Sequence, residues 1–442
     1  MRRVYQTFLF LLVSFLFLHG NAAEHLEYKR APLPPEDNAW TLWEQALEIF
    51  EIPGNKDGKE LFWDASSWEN PLPTGRKADE LKAWIETVKP SLDMFDRGVT
   101  LGKLQFPPIR FKDPIAHGLS KLRSIAQVKT IQVRFLIQDG HYQQAAELSR
   151  RMNKAGRLIL DGEGALIHYL VGISIKGMSL EAMCHFADIA DVPDQILKEI
   201  LASLPPARGP VPECAVALKI DYCSMTRPLL DRLQTDINAM EHPMPVDIDS
   251  VFSRDESVAF FEKYLRRILR NCGVSWPSRD QKIWEESEKE AGLGDLQGLN
   301  MDNVFFDLIM SQQKGAFSET SEWHKLEQLS TKKSNIFGLH LATSTLFALE
   351  KAPARGTQLL ARRSLTRAYL AIRLYERREK TLPASLMELV AKGYLPEMPA
   401  DPFSRKPLRY STTERKIWSV GPEGTNDGRD SNQADDQLTL SL

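Results

Sequence analysis

Apolar residues that return every three or four positions are the feature that most narrows what this chain can fold into. Trp40, Trp43, Leu47 and Phe50 step by three, four and three, which sets them on one helix face. Leu81, Trp84, Ile85 and Val88 repeat the pattern, with Asp79 placed to cap that helix. Asp113-Pro114 is a good helix start, and the pattern carries that helix to about Gln138. Asp139-Gly140 turns the chain, and Ala145, Leu148, Met152, Ala155 and Ile159 form the next stripe. Apolar segments at 164–189 and 193–204 continue it, as do Phe260, Phe261, Tyr264, Leu265, Ile268 and a stretch over 335–350. Breaks fall at 52–76, at Phe106-Pro107-Pro108, at the proline-rich run 204–212 and at 241–249. The polar run 279–290 reads as a solvated helix face. Residues 24–350 are therefore expected to form a mainly α-helical body of helical hairpins.

Of the 442 residues, 43% are hydrophobic and 26% charged, enough to bury a sizeable core and to exclude global disorder. That length suits two or three domains. The net charge of −3 gives no basic excess to hold a nucleic-acid backbone. The helix pair joined at Gly140-His141-Tyr142, with Ala145 following, resembles one tetratricopeptide-type hairpin. No second copy stands at a fixed period, so hairpins without a family repeat are expected.

The first residues read as an export signal. Arg2 and Arg3 precede the apolar run Phe8 to Leu18, and Gly20-Asn21-Ala22 supplies small residues for cleavage, with Ala23 as an alternative end. The apolar core is shorter than the roughly 20 residues a membrane span needs. Residues 1–23 are expected to be a signal peptide that sends the protein to the periplasm or the extracellular space. The alternative is an uncleaved anchor in the inner membrane, the one case in which a membrane is a partner. Export bears on Cys184, Cys214, Cys223 and Cys272. None forms a CxxC, and in an oxidising compartment they can pair in any of three ways. Cys214 and Cys223 are spaced to close a short loop; the other reading is four small buried hydrophobes.

Beyond residue 355 the pattern changes. Leu365, Ala368, Ile372 and Tyr375 mark a helix whose end is crowded by Arg373, Arg377, Arg378 and Lys380, where positive charge suits the dipole. Leu382-Pro383 stops it. A short helix over 384–392 follows, with Gly393 at its left-handed end. Asp401-Pro402-Phe403-Ser404 reads as a turn, 408–410 and 415–420 as strands, and 438–440 as a last strand. Pro383, Leu386, Leu389, Tyr394, Leu395, Pro399, Asp401, Pro402, Pro407, Tyr410, Ser419, Gly421 and Gly424 stand where the major pseudopilin of type II secretion has its own. Residues 355–442 thus resemble the globular domain of that family. Phe403-Ser404 and Glu423-Gly424 depart from its "DPWG" and "DG", and no prepilin leader occurs in residues 1–30. The resemblance implies a helix packed on a small antiparallel sheet, giving an α+β fold overall.

It also implies a cation. Asp427, Asp430, Asp435 and Asp436 lie close together, and calcium takes carboxylate and carbonyl oxygens. The family binds calcium in the corresponding loop, and its late acidic pair most resembles Asp435-Asp436. An acidic chain end without a metal is the alternative.

Other patterns fail. Gly98 to Lys103 has three residues between its glycines where a phosphate loop has four, and Leu104 follows in place of Ser or Thr. Gly172 to Lys176 lacks the second glycine of a nucleophile elbow. Ser330 to Lys333 fits S-x-x-K without its companion motifs, and no HExxH occurs. Trp40 and Trp43 stand at core spacing rather than in a carbohydrate groove. The leading expectation is a non-enzymatic scaffold that binds protein partners in the cell envelope, with type II secretion machinery among the candidates. The alternative is an envelope hydrolase with its site in a groove of the helical body.

Overall fold

The computed structural model describes residues 26, 28, 30–108, 115–207, 209–238, 252–292, 334–424 and 438–442. The helices are α1 (Ala39–Ile49), α2 (Lys56–Ser66), α3 (Arg76–Thr87), α4 (Lys89–Leu101), α5 (Ile115–Gln138), α6 (Tyr142–Asp161), α7 (Leu166–Asp188), α8 (Asp194–Ser203), α9 (Pro212–Asp221), α10 (Arg227–Asn238), α11 (Arg254–Cys272), α12 (Ile283–Ala291), α13 (Ile336–Glu379) and α14 (Leu386–Ala391). A π-helical turn at Tyr222–Thr226 joins α9 to α10. Three strands close the chain: β1 (Arg409–Ser411), β2 (Lys416–Trp418) and β3 (Thr439–Ser441). The expected mainly helical body with a small antiparallel sheet is what the chain forms.

The described residues fall into two compact units built from non-consecutive segments. One takes those within Pro32–Ala217, Asn271–Arg279 and Ala352–Leu442, the other those within Met1–Ala31, Leu218–Arg270 and Asp280–Lys351. Helix α13 is continuous from one set to the other, with Pro353 inside it.

In the larger unit, α1 lies on α4. Trp43 is fully buried, stacks on Phe95 at 4.9 Å and donates its indole N–H to the Phe95 carbonyl at 2.9 Å. The α6–α7 pair is the closest. Gly156 stands against Lys176 of α7, and a Cβ at Gly172 would meet Leu160 at 2.9 Å, so each glycine lets the other backbone approach. Helix α7 buries residues on every side, from Tyr169 and Ile175 to Met183 and Phe186, because other helices and α13 surround it.

The predicted stripe Leu365, Ala368, Ile372 and Tyr375 is buried, and so is Leu370 on the opposite side. Arg377 and Arg378 stand in the last turn of α13, as expected, and arginines of this helix also fasten loops. Arg377 donates to the carbonyls of Ala187, Ile189 and Val192, Arg363 to that of Pro206, and Arg367 to that of Leu204. The sheet has the order β1-β2-β3, all antiparallel, with Tyr410 opposite Ile417 and Ile417 opposite Leu440. Asp401 ties the preceding turn to this sheet. Fully buried, it accepts from the Phe403 N–H at 2.9 Å, the Ser419 hydroxyl at 3.0 Å and the Val420 N–H at 2.8 Å.

In the smaller unit, Tyr222 stacks on Phe261 at 5.5 Å, and Phe252 meets Phe337. Asn335 accepts from the Ser253 N–H and the Ser257 hydroxyl, joining the start of α11 to the start of α13.

Two local expectations are corrected, and a rejected pattern is placed. Gly75 stands at the N-cap of α3, which places Asp79 inside its first turn rather than before it. The supposed break at 52–76 contains α2, opened by Asn55, whose side chain accepts from the Gly58 N–H at 2.7 Å. Residues 98–101 are the last turn of α4, closed by Gly102 in the left-handed conformation. Residues 1–25, 113–114, 241–249 and 330–333 lie outside the described residues, and with them the export segment. Among the described residues no helix is long and apolar enough to cross a membrane.

Candidate functional site: a mixed-charge groove and a smaller recess

Helices α3, α4, α5 and α6 of the larger unit leave an open groove of about 910 Å³. Ile85, Leu92, Phe135, Leu136 and Leu148 supply its apolar surface. The charged residues in its wall are Lys82, Lys89, Lys129 and Arg151 against Glu86, Asp93, Asp96, Asp139 and Glu147. Most are paired. Asp96 accepts from Lys129 at 2.8 Å and from Arg151 at 3.2 Å, and Lys82 sits 3.6 Å from Asp139. Burial lowers the Lys129 pKa, and the contact with Asp96 opposes that shift. Two groups are left over. Asp93 is exposed and has no ion pair among the described residues. The Oε1 of Gln132 is buried without a hydrogen-bond donor among the described residues.

A second concavity of about 450 Å³ lies where α7, α13, Glu69 and β3 meet in the same unit. Glu181, Cys184, His185, Asp188, Arg362 and Tyr369 line it. His185 stacks on Trp68 at 4.1 Å, and the Arg134 guanidinium lies 5.2 Å from the Trp68 ring. Arg134 also donates to the carbonyls of Ala65, Ser67 and Asn70, which fixes the end of α2 and the chain after it. Burial pushes the Glu181 carboxyl up against the pull of Arg362, and Glu69 adds to the rise. Burial pushes His185 down, so a neutral imidazole is favoured. The Cys184 thiol is pushed up to about 12 by burial and bonds to Thr366, which leaves it protonated and a poor nucleophile.

Asp427, Asp430, Asp435 and Asp436, the carboxylates singled out for calcium, lie outside the described residues. Among the described residues no group of three or more His, Cys, Asp or Glu is placed to hold a metal ion. Trp40 packs on Phe106 at 5.1 Å, and His168 on the same ring at 4.1 Å, so both serve the core. No family model, no curated protein and no solved structure matches the chain.

The residues of the groove and the recess were not singled out by sequence reasoning. Lys82 and Glu86, or Glu181 and His185, are ordinary i,i+4 pairs on a helix. Only the packing of one helix on another decides which such pairs face a concavity. The one advance signal was Gly140-His141-Tyr142, which marks the hairpin whose two helices form one side of the groove.

Proposed function

We propose that this chain is an exported scaffold whose α3–α6 groove holds an extended segment of a partner protein. The segment carries apolar side chains and at least one basic residue. The observation that carries this reading is an open groove with an apolar floor of Ile85, Leu92, Phe135, Leu136 and Leu148, edged by the exposed Asp93, which has no ion pair among the described residues. Apolar side chains of a bound segment gain about 25 cal/mol for each Å² they bury on that floor. The unpaired Asp93 gives the preference for positive charge. The test is fluorescence anisotropy of the full chain with two sets of labelled nonapeptides, Leu/Lys-rich and Leu/Glu-rich. The Leu/Lys set binds at least about tenfold more tightly, and Leu136→Glu or Asp93→Lys removes that preference. Equal affinity for both sets, or variants that bind as the parent does, would overturn the proposal.

Sequence supports two further parts of this reading. The N-terminal pattern read as an export signal supports a location outside the cytoplasm. The pseudopilin-like pattern of 355–442 suits docking to secretion or envelope machinery, a proposal from resemblance alone.

A second reading, an envelope hydrolase, is favoured by the recess, where Glu181 with its raised pKa lies near a neutral His185. There Glu181 would be the general acid. Cleavage of chromogenic glycosides or peptide amides by the full chain, lost in Glu181→Gln and kept in Asp93→Lys, would select this reading over the scaffold.

A further inference from the structure

Of the four cysteines, two are brought together. Cys214 lies in the first turn of α9 and Cys272 is the last residue of α11; both are fully buried. Val211 bridges their backbones: its N–H donates to the Cys272 carbonyl at 3.1 Å, and its carbonyl accepts from the Cys214 N–H at 3.0 Å. The two thiols are within hydrogen-bonding contact of each other, and the Tyr169 hydroxyl is bonded to Cys214. Arg279 holds the chain just after Cys272, donating to the carbonyls of Val274 and Pro353 at 3.3 and 3.0 Å. Cys184 is committed to Thr366, and the Cys223 thiol donates to the Leu26 carbonyl at 2.8 Å. The short Cys214–Cys223 loop, open on spacing alone, is not the pair the fold assembles.

We infer that Cys214 and Cys272 are a disulfide-forming pair, and that their bond clasps the two points at which the chain leaves the larger unit after Ala217 and re-enters it at Asn271. Such a bond closes a long loop, the case in which a cross-link most restricts the unfolded chain. The oxidant is a disulfide-bearing compound, as found in extracytoplasmic compartments. The Cys214 thiolate attacks a sulfur of that compound, forming a mixed disulfide and releasing one thiol. The Cys272 thiolate then attacks the Cys214 sulfur and releases the second. Two protein thiols and one small disulfide thus become one protein disulfide and two small thiols, with no other electron donor or acceptor. Burial pushes the Cys214 thiol well up in the folded protein, so the exchange belongs to folding, before the pair is enclosed.

The experiment refolds the full chain from denaturant in a buffer of reduced and oxidised glutathione. The product is quenched in acid, unfolded, labelled with N-ethylmaleimide and weighed. Two labels are expected, on Cys184 and Cys223, with a peptide pair joining Cys214 to Cys272 that disappears on reduction. Dithiothreitol lowers Tm by about 4 °C or more in the parent and in Cys184→Ala/Cys223→Ala, and has no such effect on Cys214→Ala/Cys272→Ala. Four labels, or a bond between any other two cysteines, overturns the inference, and the label count needs no variant to fold.

Discussion

Lys176 shows what a single residue can do to the stability of this protein. Its side chain is 4% exposed, and its ammonium has no hydrogen-bond or ion-pair partner among the described residues. Arg157 takes both nearby carboxylates, Asp161 at 2.7 Å and Glu213 at 3.0 Å. Burial first, then repulsion from Arg363 and Arg157, brings Lys176 down to about 8. An unfolded lysine keeps its proton to about 10.5, so above pH 8 the unfolded chain binds more protons and stability rises with pH. The gain is about 2 kcal/mol between pH 8 and 9.5. Lys176→Met removes this dependence and is more stable than the parent at pH 7. Urea unfolding of the two proteins at both pH values checks it, and parallel slopes would refute it. Asp401 is the opposite case, a buried carboxylate with every neighbour satisfied. Asp401→Ala strands the Phe403 and Val420 N–H groups and the Ser419 hydroxyl, and should cost about 2–5 kcal/mol in thermal unfolding. Asp401→Asn keeps one acceptor and should lose less. The sequence marked Asp401 and Ser419 by pattern. That their side chains bond to each other across the turn could come only from coordinates.

At the scale of elements, long amphipathic helices were legible and short or enclosed ones were not. Helices α1 and α6 follow the predicted stripes because each shows one apolar face to a neighbour and the other to solvent. Helix α2 was missed because only Phe62 and Ala65 are fully buried, and Gly58 interrupts its first turn. Helix α13 looked like two segments. Its first part has a weak pattern, and the stripe that follows starts again only near Leu365, although one helix runs through Pro353 between them. The packing role of Gly156 and Gly172 was not legible, since close packing between non-adjacent turns leaves no periodic trace. At the α6–α7 crossing, a Cβ on Gly156 would press on the Lys176 backbone nitrogen at 2.9 Å, and backbone cannot swing aside as a side-chain tip can. Gly156→Ala should therefore destabilise by about 1–3 kcal/mol. Gly54→Ala, with nothing within 4 Å of the added methyl, serves as the control. Equal midpoints in urea for the two variants would contradict this account of the crossing.

For the whole molecule, the proposed export segment, the inferred cysteine pair and a cluster of aspartates would suit one chemical setting, outside the cytoplasm. There disulfides persist and calcium is millimolar, the range in which extracellular modules bind it. The sequence places Asp427, Asp430, Asp435 and Asp436 between the end of β2 and the start of β3, so a cation held there would link two paired strands. A ligand that binds only the folded chain stabilises it by RT ln(1 + [L]/Kd). With a Kd near 10⁻⁴ M and 2 mM calcium, this is about 2 kcal/mol, or a rise of about 2–4 °C in Tm for a chain of this size. Magnesium at the same concentration should do less, because it demands tighter octahedral geometry and sheds its waters reluctantly. Asp435→Asn/Asp436→Asn should abolish the calcium effect while melting like the parent in chelator. A Tm that does not respond to calcium, or responds equally in the double variant, would show that these four carboxylates hold no cation, and the pseudopilin resemblance would then rest on its helix, turn and sheet alone.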